Sequence, residues 1–257
     1  MGNESTPISH ELRAKRATSF GGAAAAYAAH RPDYPIAAVR WGLSGAAKAP
    51  VNVLDLAAGT GKLTTTLVEQ GLTVTAVEPD EQMLAQLRHA LPGITALDGH
   101  AERIPLETAS VDAVFVGQAF HWFDAEPALT EISRVLRPGG VLVTLWNYDD
   151  LSVPWVAEFG ELFGAPTGRT WAASAARLPD HPNFAPSEQE TFRHKQRRTA
   201  ESLVATLATH SHVLAAASEE RAAILRTAQE FLAGRPETAS GEFDRPIVVT
   251  GFRARRR

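Results

Sequence analysis

The stretch that constrains this chain most is residues 51–64, V-N-V-L-D-L-A-A-G-T-G-K-L-T. It begins with a short apolar, β-branched run that is typical of a buried parallel strand. An acid, Asp55, and two glycines, Gly59 and Gly61, follow, and the chain then becomes helical until Gly71. A doubly wound sheet builds its nucleotide site from strand, glycine turn and helix in this order.

The same alternation continues through the first half of the chain. Further strands are predicted at 73–77, 94–97, 111–116 and 141–146, and helices at 61–70, from Asp80 to just before Pro92, and at 127–136. Strands that alternate with helices at this period form a parallel, doubly wound sheet. After residue 147 the pattern predicts an edge strand at 188–199, helices at 201–217 and 219–233, and a last strand at 243–252. The arginines of 253–257 are expected to form a solvated tail.

Composition narrows the class of protein. A chain of 257 residues with 44% hydrophobic content can bury the core of one α/β domain. Its formal net charge of −4 gives no reason to expect nucleic acid as a partner. The absence of cysteine excludes disulfides, thiolate catalysis and Cys-built zinc sites. No signal pattern or membrane-length apolar run is present, so we expect a cytoplasmic protein, as a monomer or homodimer, without a membrane partner.

Two phosphate-binding interpretations of the glycine turn fail. A Walker A loop needs Ser or Thr after its lysine, but Lys62 is followed by Leu63, and Leu56 stands where the first glycine belongs. A dinucleotide fingerprint would use Gly59, Gly61 and an acid about 20 residues further on, such as Glu78. It would nevertheless place the negative charge of Asp55 beside a pyrophosphate, and its third glycine is replaced by Thr64.

A nucleoside without phosphate and with a cationic far end fits better. S-adenosyl-L-methionine carries an adenosine, a sulfonium and a zwitterionic methionine. Asp55 can accept from the methionine ammonium, directly or through water, and Glu78 can accept from both ribose hydroxyls. The glycines let the backbone approach the adenosyl group closely.

Four motifs in order resemble the class I S-adenosylmethionine-dependent methyltransferases: L-D-L-A-A-G-T-G at 54–61, V-E-P-D at 77–80, G-H-A-E-R-I-P-L at 99–106 and R-V-L-R-P-G-G at 134–140. The resemblance covers residues 20 to 147. Phe20, Tyr27, residues 31–35 and residues 118–124 are similar to a small-molecule branch that includes trans-aconitate methyltransferases. The resemblance implies an α/β, Rossmann-like, doubly wound seven-stranded sheet. Most of its strands are parallel, the last is antiparallel, and a helical lid or insertion is added.

The resemblance also implies a division of the chain. A flexible tail (1–17) precedes a single methyltransferase domain (18–257). Within that domain lie an N-terminal helical cap (18–45), a cofactor-binding core (51–147), an acceptor-side insertion (148–187) and C-terminal strands and helices (188–257). The helical cap begins with a predicted helix at 18–29.

Residue roles follow from the same resemblance. His100 stands where the family places an acid on the adenine amine, which is a departure, so adenine recognition would rest on the backbone amide of Ala101. The implied cofactor-binding residues are Asp55, Ala57, Gly59, Gly61, Glu78, Pro79, His100, Ala101, Gln118, Tyr27 and Arg31.

Catalytic and acceptor residues are predicted near the end of the fourth strand. His121 lies at the carboxyl edge of the sheet and is a candidate general base; the alternative is a packed histidine that orients the loop. Tyr34, Trp122 and Trp155 are candidate acceptor contacts, with Trp171 and Phe184 as further walls. No metal is expected, because His210 and His212 are two apart on a predicted helix and point away from each other.

The sequence therefore predicts methyl transfer from S-adenosyl-L-methionine to a small molecule, with S-adenosyl-L-homocysteine as product. A carboxylic acid acceptor would need a cation such as Arg31, whereas a phenol, alcohol or amine would use His121 as proton acceptor. The alternatives are a nucleic-acid or protein methyltransferase, a non-catalytic S-adenosylmethionine-binding module, and an NAD-dependent oxidoreductase.

Overall fold

The computed structural model describes residues 32–163, 178–208, 210, 213–214 and 216–257. These residues form one seven-stranded sheet with helices on its two faces. The strands are β1 (Asn52–Leu56), β2 (Thr73–Val77), β3 (Thr95–Leu97), β4 (Val111–Gly117), β5 (Leu136–Asp149), β6 (Glu188–Thr199) and β7 (Glu242–Arg255). The helices are α1 (Ile36–Leu43), α2 (Lys62–Glu69), α3 (Glu81–Ala90), α4 (Ala125–Val135), α5 (Pro154–Phe163), α6 (Ala200–Leu207) and α7 (Ser218–Ala233).

The strand order confirms the predicted fold class. It runs β3-β2-β1-β4-β5-β7-β6, and β1 to β5 pair in parallel while β7 is antiparallel to both of its neighbours. The chain moves outward from β1 to β3 and then returns to place β4 on the other side of β1. The carboxyl ends of β1 and β4 therefore lie side by side at the point where the strand order reverses, and ligands bind there in such sheets.

Most predicted elements of the first half are confirmed within one or two residues. Asp80 caps α3 as predicted, because its side chain accepts from the backbone amides of Gln82 and Met83. The predicted helix at 18–29 lies outside the described residues. The predicted helix at 201–217 is wrong in length, since α6 ends at Leu207.

Two further details differ from what the sequence pattern indicates. The Pro-Gly-Gly segment at 138–140 is typical of a stop between helix and strand, but it is part of β5, which already pairs with β4 at Leu136. On α5, the spacing of Phe159, Leu162 and Phe163 is typical of one buried helix face, and the two phenylalanines are buried, but Leu162 is 60% exposed. Residue 162 comes directly before Phe163 and so points away from the buried face of the helix.

Three clusters of buried side chains hold the layers together. One lies on the α4 face of the sheet and includes Leu54, Val114 and Ile132, and a second lies on the face covered by α1 and α2. The third joins α5, α6 and α7 around Trp155 and Phe243. Among the described residues, no helix combines the length and the apolar character that a membrane crossing requires.

The predicted solvated arginine tail is wrong. β7 lies between β5 and β6, and it continues to Arg255 because Arg253 pairs with Val143 on one side and Glu188 on the other. The Arg253 guanidinium stacks 4.5 Å from the ring centre of Trp41 and donates to the Glu188 carboxylate and to the Trp41 carbonyl. Through these contacts Arg253 attaches the last strand to α1.

We predict that Arg253→Ala destabilises the protein by about 1 to 3 kcal/mol, because a stacked and hydrogen-bonded guanidinium is lost. The midpoint of thermal unfolding should fall by several degrees. Arg226→Ala, on the exposed side of α7, is the control and should change stability by less than about 0.5 kcal/mol. Equal midpoints of thermal unfolding for the two variants would mean that Arg253 contributes nothing to stability.

Candidate active site

A cavity opens where the carboxyl ends of β1 and β4 meet. The turn after β1 and the start of α2 form one side of it, and Gly117, Gln118 and Asn147 form the other. Pro32 and Tyr34 close a third side. The structure thus brings together residues that are far apart in the sequence and places them at the predicted edge of the sheet.

The backbone around this cavity takes conformations that most residues avoid. Gly59 and Gly61 have φ angles of 58° and 91°, as expected for a glycine turn. Ala57 and Gln118 also have positive φ, of 57° and 58°, although neither is glycine. Such strained residues cluster at functional sites, and here both line the same cavity.

Asp55 is the central charged group of the cavity. Its side chain is 1% exposed, and its Oδ2 accepts from the Thr64 hydroxyl at 2.6 Å. Its Oδ1 is also buried and has no hydrogen-bond partner among the residues that the structure describes. Burial raises the pKa of Asp55 from 3.8 to about 7; the Thr64 hydrogen bonds lower it in part, and the charge of Glu78 raises it further. A buried carboxylate oxygen without a partner calls for a donor from a ligand.

Thr60 adds a second polar atom of the same kind. It lies between the two glycines of the turn, and its hydroxyl is buried and has no partner in the part of the chain that the structure describes. Its side chain lines the cavity together with that of Asp55. The sequence interpretation missed Thr60; its position inside the glycine turn was the only available signal.

Glu78 ties the turn to the neighbouring strand. Its Oε2 accepts from the Gly59 amide at 2.8 Å and its Oε1 from the Asp80 amide at 2.9 Å. The carboxylate is 5% exposed, and burial raises its pKa. Each oxygen can still accept a second hydrogen bond. Asp80, and not Glu78, is the cap of α3.

The residues predicted for the adenine side lie beyond this cavity. His100 is exposed and Ala101 is buried in the cluster on the α4 face, and neither lines the cavity around Asp55. Both follow β3, which runs next to β2, the strand that directly precedes Glu78. Pro79 is half-buried directly after Glu78. These three residues therefore lie on the β2 and β3 side of the turn, outside the cavity around Asp55.

Gln118 is engaged within the protein. Its side-chain amide donates to the Asn147 carbonyl and accepts from the Asn147 amide, both at 3.1 Å. The Asn147 side chain in turn donates to the carbonyl of Asp33 and lies 3.3 Å from Nε2 of His194. The sequence interpretation missed Asn147, because these partners come from three separate segments.

His121 lies in a short 3-10 turn, Phe120–Trp122, next to the end of β4. Its ring centre is 4.3 Å from that of Trp122 and 5.0 Å from that of Trp146. Trp146 is buried, and its indole nitrogen has no partner in the described ranges. Burial raises the pKa of the half-buried Tyr148 to about 12. Trp146 and Tyr148 were not predicted. Alternation along β5 places both on the same face of the sheet.

Several predicted residues lie elsewhere. Tyr27, Arg31 and Trp171 are outside the described residues. The assignment of Trp155 to an acceptor wall needs correction, because its ring is buried in the third cluster, edge-on to Phe243 at 5.7 Å. Phe184 belongs to the core and pairs with the last strand.

Tyr34 lines the cavity, as predicted for a residue near the ligand. A Cβ atom added at Gly117 would lie only 2.6 Å from the Tyr34 hydroxyl.

Of the two histidines considered as metal ligands, His212 is outside the described residues. Within the described part, no three His, Cys, Asp or Glu side chains are grouped as metal ligands would be.

Known proteins are similar to this chain in sequence and in fold. Residues 54–144 match the family model described as "Methyltransferase domain". An uncharacterized methyltransferase of Mycobacterium tuberculosis is 42% identical over 237 residues, which is 92% of this chain and 95% of the relative. A solved chain from Anaeromyxobacter dehalogenans, described as a candidate type II methyltransferase, is 29% identical with a TM-score of 0.65 and covers 88% of this chain and 97% of its own.

A more distant structure shares the fold. Phosphoethanolamine N-methyltransferase 2 of Haemonchus contortus, solved with phosphomonomethylethanolamine and S-adenosylhomocysteine, has a TM-score of 0.53 at 16% identity. The similarity covers 97% of this chain and 60% of that one. The sheet, the glycine turn and these relatives agree, and the chain belongs to the class I S-adenosylmethionine-dependent methyltransferase family.

Proposed function

We propose that this chain transfers the methyl group of S-adenosyl-L-methionine to a small molecule whose accepting atom carries a proton, such as a phenol, alcohol or amine. The observation that supports the cofactor most is the buried Oδ1 of Asp55, which lines the ligand cavity and has no partner within the described part of the chain. An ammonium group satisfies this oxygen and keeps the carboxylate ionised.

The same geometry supports the other cofactor contacts that we propose. The Thr60 hydroxyl, which has no partner among the described residues, is a donor for the methionine carboxylate. The remaining lone pairs of Glu78 can accept from the ribose hydroxyls. We assign the backbone of Ala57, Gly59 and Gly61 to the adenosyl and methionine chain. The adenine is assigned to Pro79, His100 and Ala101, beyond the end of β3.

A dinucleotide fits this site less well. A pyrophosphate at the turn would meet the Asp55 carboxylate within a buried environment, where two like charges repel strongly. In addition, the Gly59 amide, a backbone donor that a phosphate would use, already donates to Glu78.

When bound, the cofactor supplies a methyl group that its sulfonium has already activated. The protein therefore needs no nucleophile of its own and acts by alignment and by exclusion of water. The hydrogen bonds between Gln118 and Asn147 hold the ends of β4 and β5 at a fixed separation. The strained backbone at Ala57 and Gln118 lies at the same edge of the sheet. His121, next to the end of β4, is assigned as the group that accepts the proton of the acceptor.

The surroundings of His121 support an acceptor that is flat or apolar. Trp122, Trp146 and Tyr148 lie on the same side of the sheet edge. Among the described residues, the cation that lines the cavity is Lys62, and it forms a 3.0 Å ion pair with Asp33. A carboxylic acid acceptor, which the resemblance to trans-aconitate methyltransferases suggests, would have to compete for that lysine or use Arg31.

The base assignment predicts a specific loss in His121→Gln. In a screen with labelled S-adenosyl-L-methionine over phenols, amines and carboxylic acids, turnover on the preferred acceptor should fall by about 100-fold, while cofactor affinity changes little. His89→Gln, on the exposed side of α3, is the matched control and should retain full turnover. Unchanged turnover in His121→Gln would show a packing histidine, and methylation of carboxylic acids alone would overturn the acceptor class.

Asp55→Asn tests the buried carboxylate, first without ligand and then with ligand. The folded carboxyl keeps its proton up to about pH 7, whereas the unfolded one loses it near 3.8, so the unfolded state binds fewer protons in between. Stability contributed by this group therefore falls as pH rises through that window, and Asp55→Asn should raise the unfolding midpoint at pH 8. Asp112→Asn should lower it, because bonds from two backbone amides and Arg137 outweigh burial and lower the pKa of Asp112.

The same unfolding measurement with ligand added tests the cofactor assignment. S-adenosyl-L-homocysteine should raise the unfolding midpoint of the wild type by several degrees and that of Asp55→Asn by much less, while NAD raises neither. Stabilisation by NAD, or equal stabilisation of both proteins by S-adenosyl-L-homocysteine, would contradict the proposed site.

A further inference from the structure

Thr64 occupies the position where a dinucleotide fingerprint would have its third small residue. It lies in the first turn of α2 and is fully buried. Its hydroxyl donates to Oδ2 of Asp55 at 2.6 Å, and both partners are enclosed. The departure from the dinucleotide pattern therefore places a hydroxyl where it reaches the acidic side chain at the end of β1.

This contact distinguishes the two oxygens of one carboxylate. Oδ2 is held by Thr64, while Oδ1 is buried and no group of residues 32–163, 178–208, 210, 213–214 or 216–257 pairs with it. Asp55 itself lines the cavity. A carboxylate that could rotate freely would have no preferred oxygen for a ligand. A hydrogen bond to one oxygen fixes the orientation of the other before the ligand arrives, and such preorganisation lowers the cost of binding.

We propose that Thr64 is a positioning residue for the amino-acid end of the cofactor: it holds the Asp55 carboxylate so that Oδ1 receives the ammonium group. The proposal rests on the function proposed above. Thr64 itself does not line the cavity, so it acts through Asp55 and not by contact with the ligand.

The charges around Asp55 give this hydroxyl a second effect. Glu78 repels the ionised carboxylate from the end of β2, and Lys62, which lines the same cavity from α2, is paired with Asp33. On the β4 side, the lining residues Gly117 and Gln118 carry no charge. The Thr64 hydrogen bonds lower the pKa of Asp55, so their loss should raise the pH that cofactor binding requires.

Three variants test the proposal by calorimetry. Thr64→Val removes the hydroxyl at nearly constant volume, and Thr64→Ser keeps a hydroxyl. Thr66→Val is the matched control, since Thr66 is buried on the same helix but its hydroxyl donates only to backbone carbonyls. The two probes are S-adenosyl-L-homocysteine and 5′-deoxy-5′-methylthioadenosine, which has the same nucleoside but no amino-acid end.

Thr64→Val should bind S-adenosyl-L-homocysteine about tenfold more weakly at pH 7, with its affinity recovering at higher pH than in the wild type. Its affinity for methylthioadenosine should stay within about twofold, and Thr64→Ser and Thr66→Val should resemble the wild type with both probes. If the valine variant does not fold, Thr64→Ala compared with Thr64→Ser makes the same test.

Other outcomes distinguish the role of Thr64 from the proposed function on which it rests. Equal weakening of both probes by Thr64→Val, or no weakening of either, would overturn the role of Thr64 and leave the cofactor assignment intact. Failure of the wild type to bind S-adenosyl-L-homocysteine at all would overturn the proposed function itself.

Discussion

The burial of one carboxylate at the point where the strand order reverses is the constraint on which this site depends. Asp55 is enclosed at the end of β1, and one of its oxygens has no partner in the described residues. A lone carboxylate in such a place is costly, and its raised pKa expresses that cost. A cationic ligand offsets the cost, whereas a phosphate increases it. The chemistry of this single side chain therefore selects the cofactor more than the glycine turn does.

The surrounding structure fixes the position of that carboxylate relative to the rest of the site. Glu78 binds the Gly59 amide and so fastens the turn to β2, and the Gln118 side chain clamps β4 to β5 through the backbone of Asn147. The two clamps lie on opposite sides of β1 in the sheet. Each relies on a side chain that makes two hydrogen bonds to backbone groups. Strained backbone such as that at Ala57 and Gln118 persists where surrounding contacts of this kind fix the conformation.

Much of this arrangement could be predicted from the sequence, because it depends on local patterns. Parallel strands, the glycine turn, Asp55 and Glu78 all follow from periodicity and from the charge that a pyrophosphate would not accept. The roles of Asn147 and Thr64 could not be predicted, since each depends on a partner that only the folded chain brings near. The arginine tail was misinterpreted for the same reason: its strand neighbours come from residues more than 60 positions away, as Arg253 and Glu188 show. Trp155 was misplaced because an apolar ring after the fifth strand serves equally well in a wall or in a core.

The measurement that tests the central claim most directly is the number of protons released when S-adenosyl-L-homocysteine binds. Titration calorimetry at pH 6 in buffers of different ionisation enthalpy reports this number. If Asp55 is protonated in the free protein and ionised against the ligand ammonium, binding at pH 6 should release close to one proton, and binding at pH 8.5 close to none. Binding that releases no proton at either pH would contradict the account, because the buried carboxylate would then not be the group that receives the cofactor.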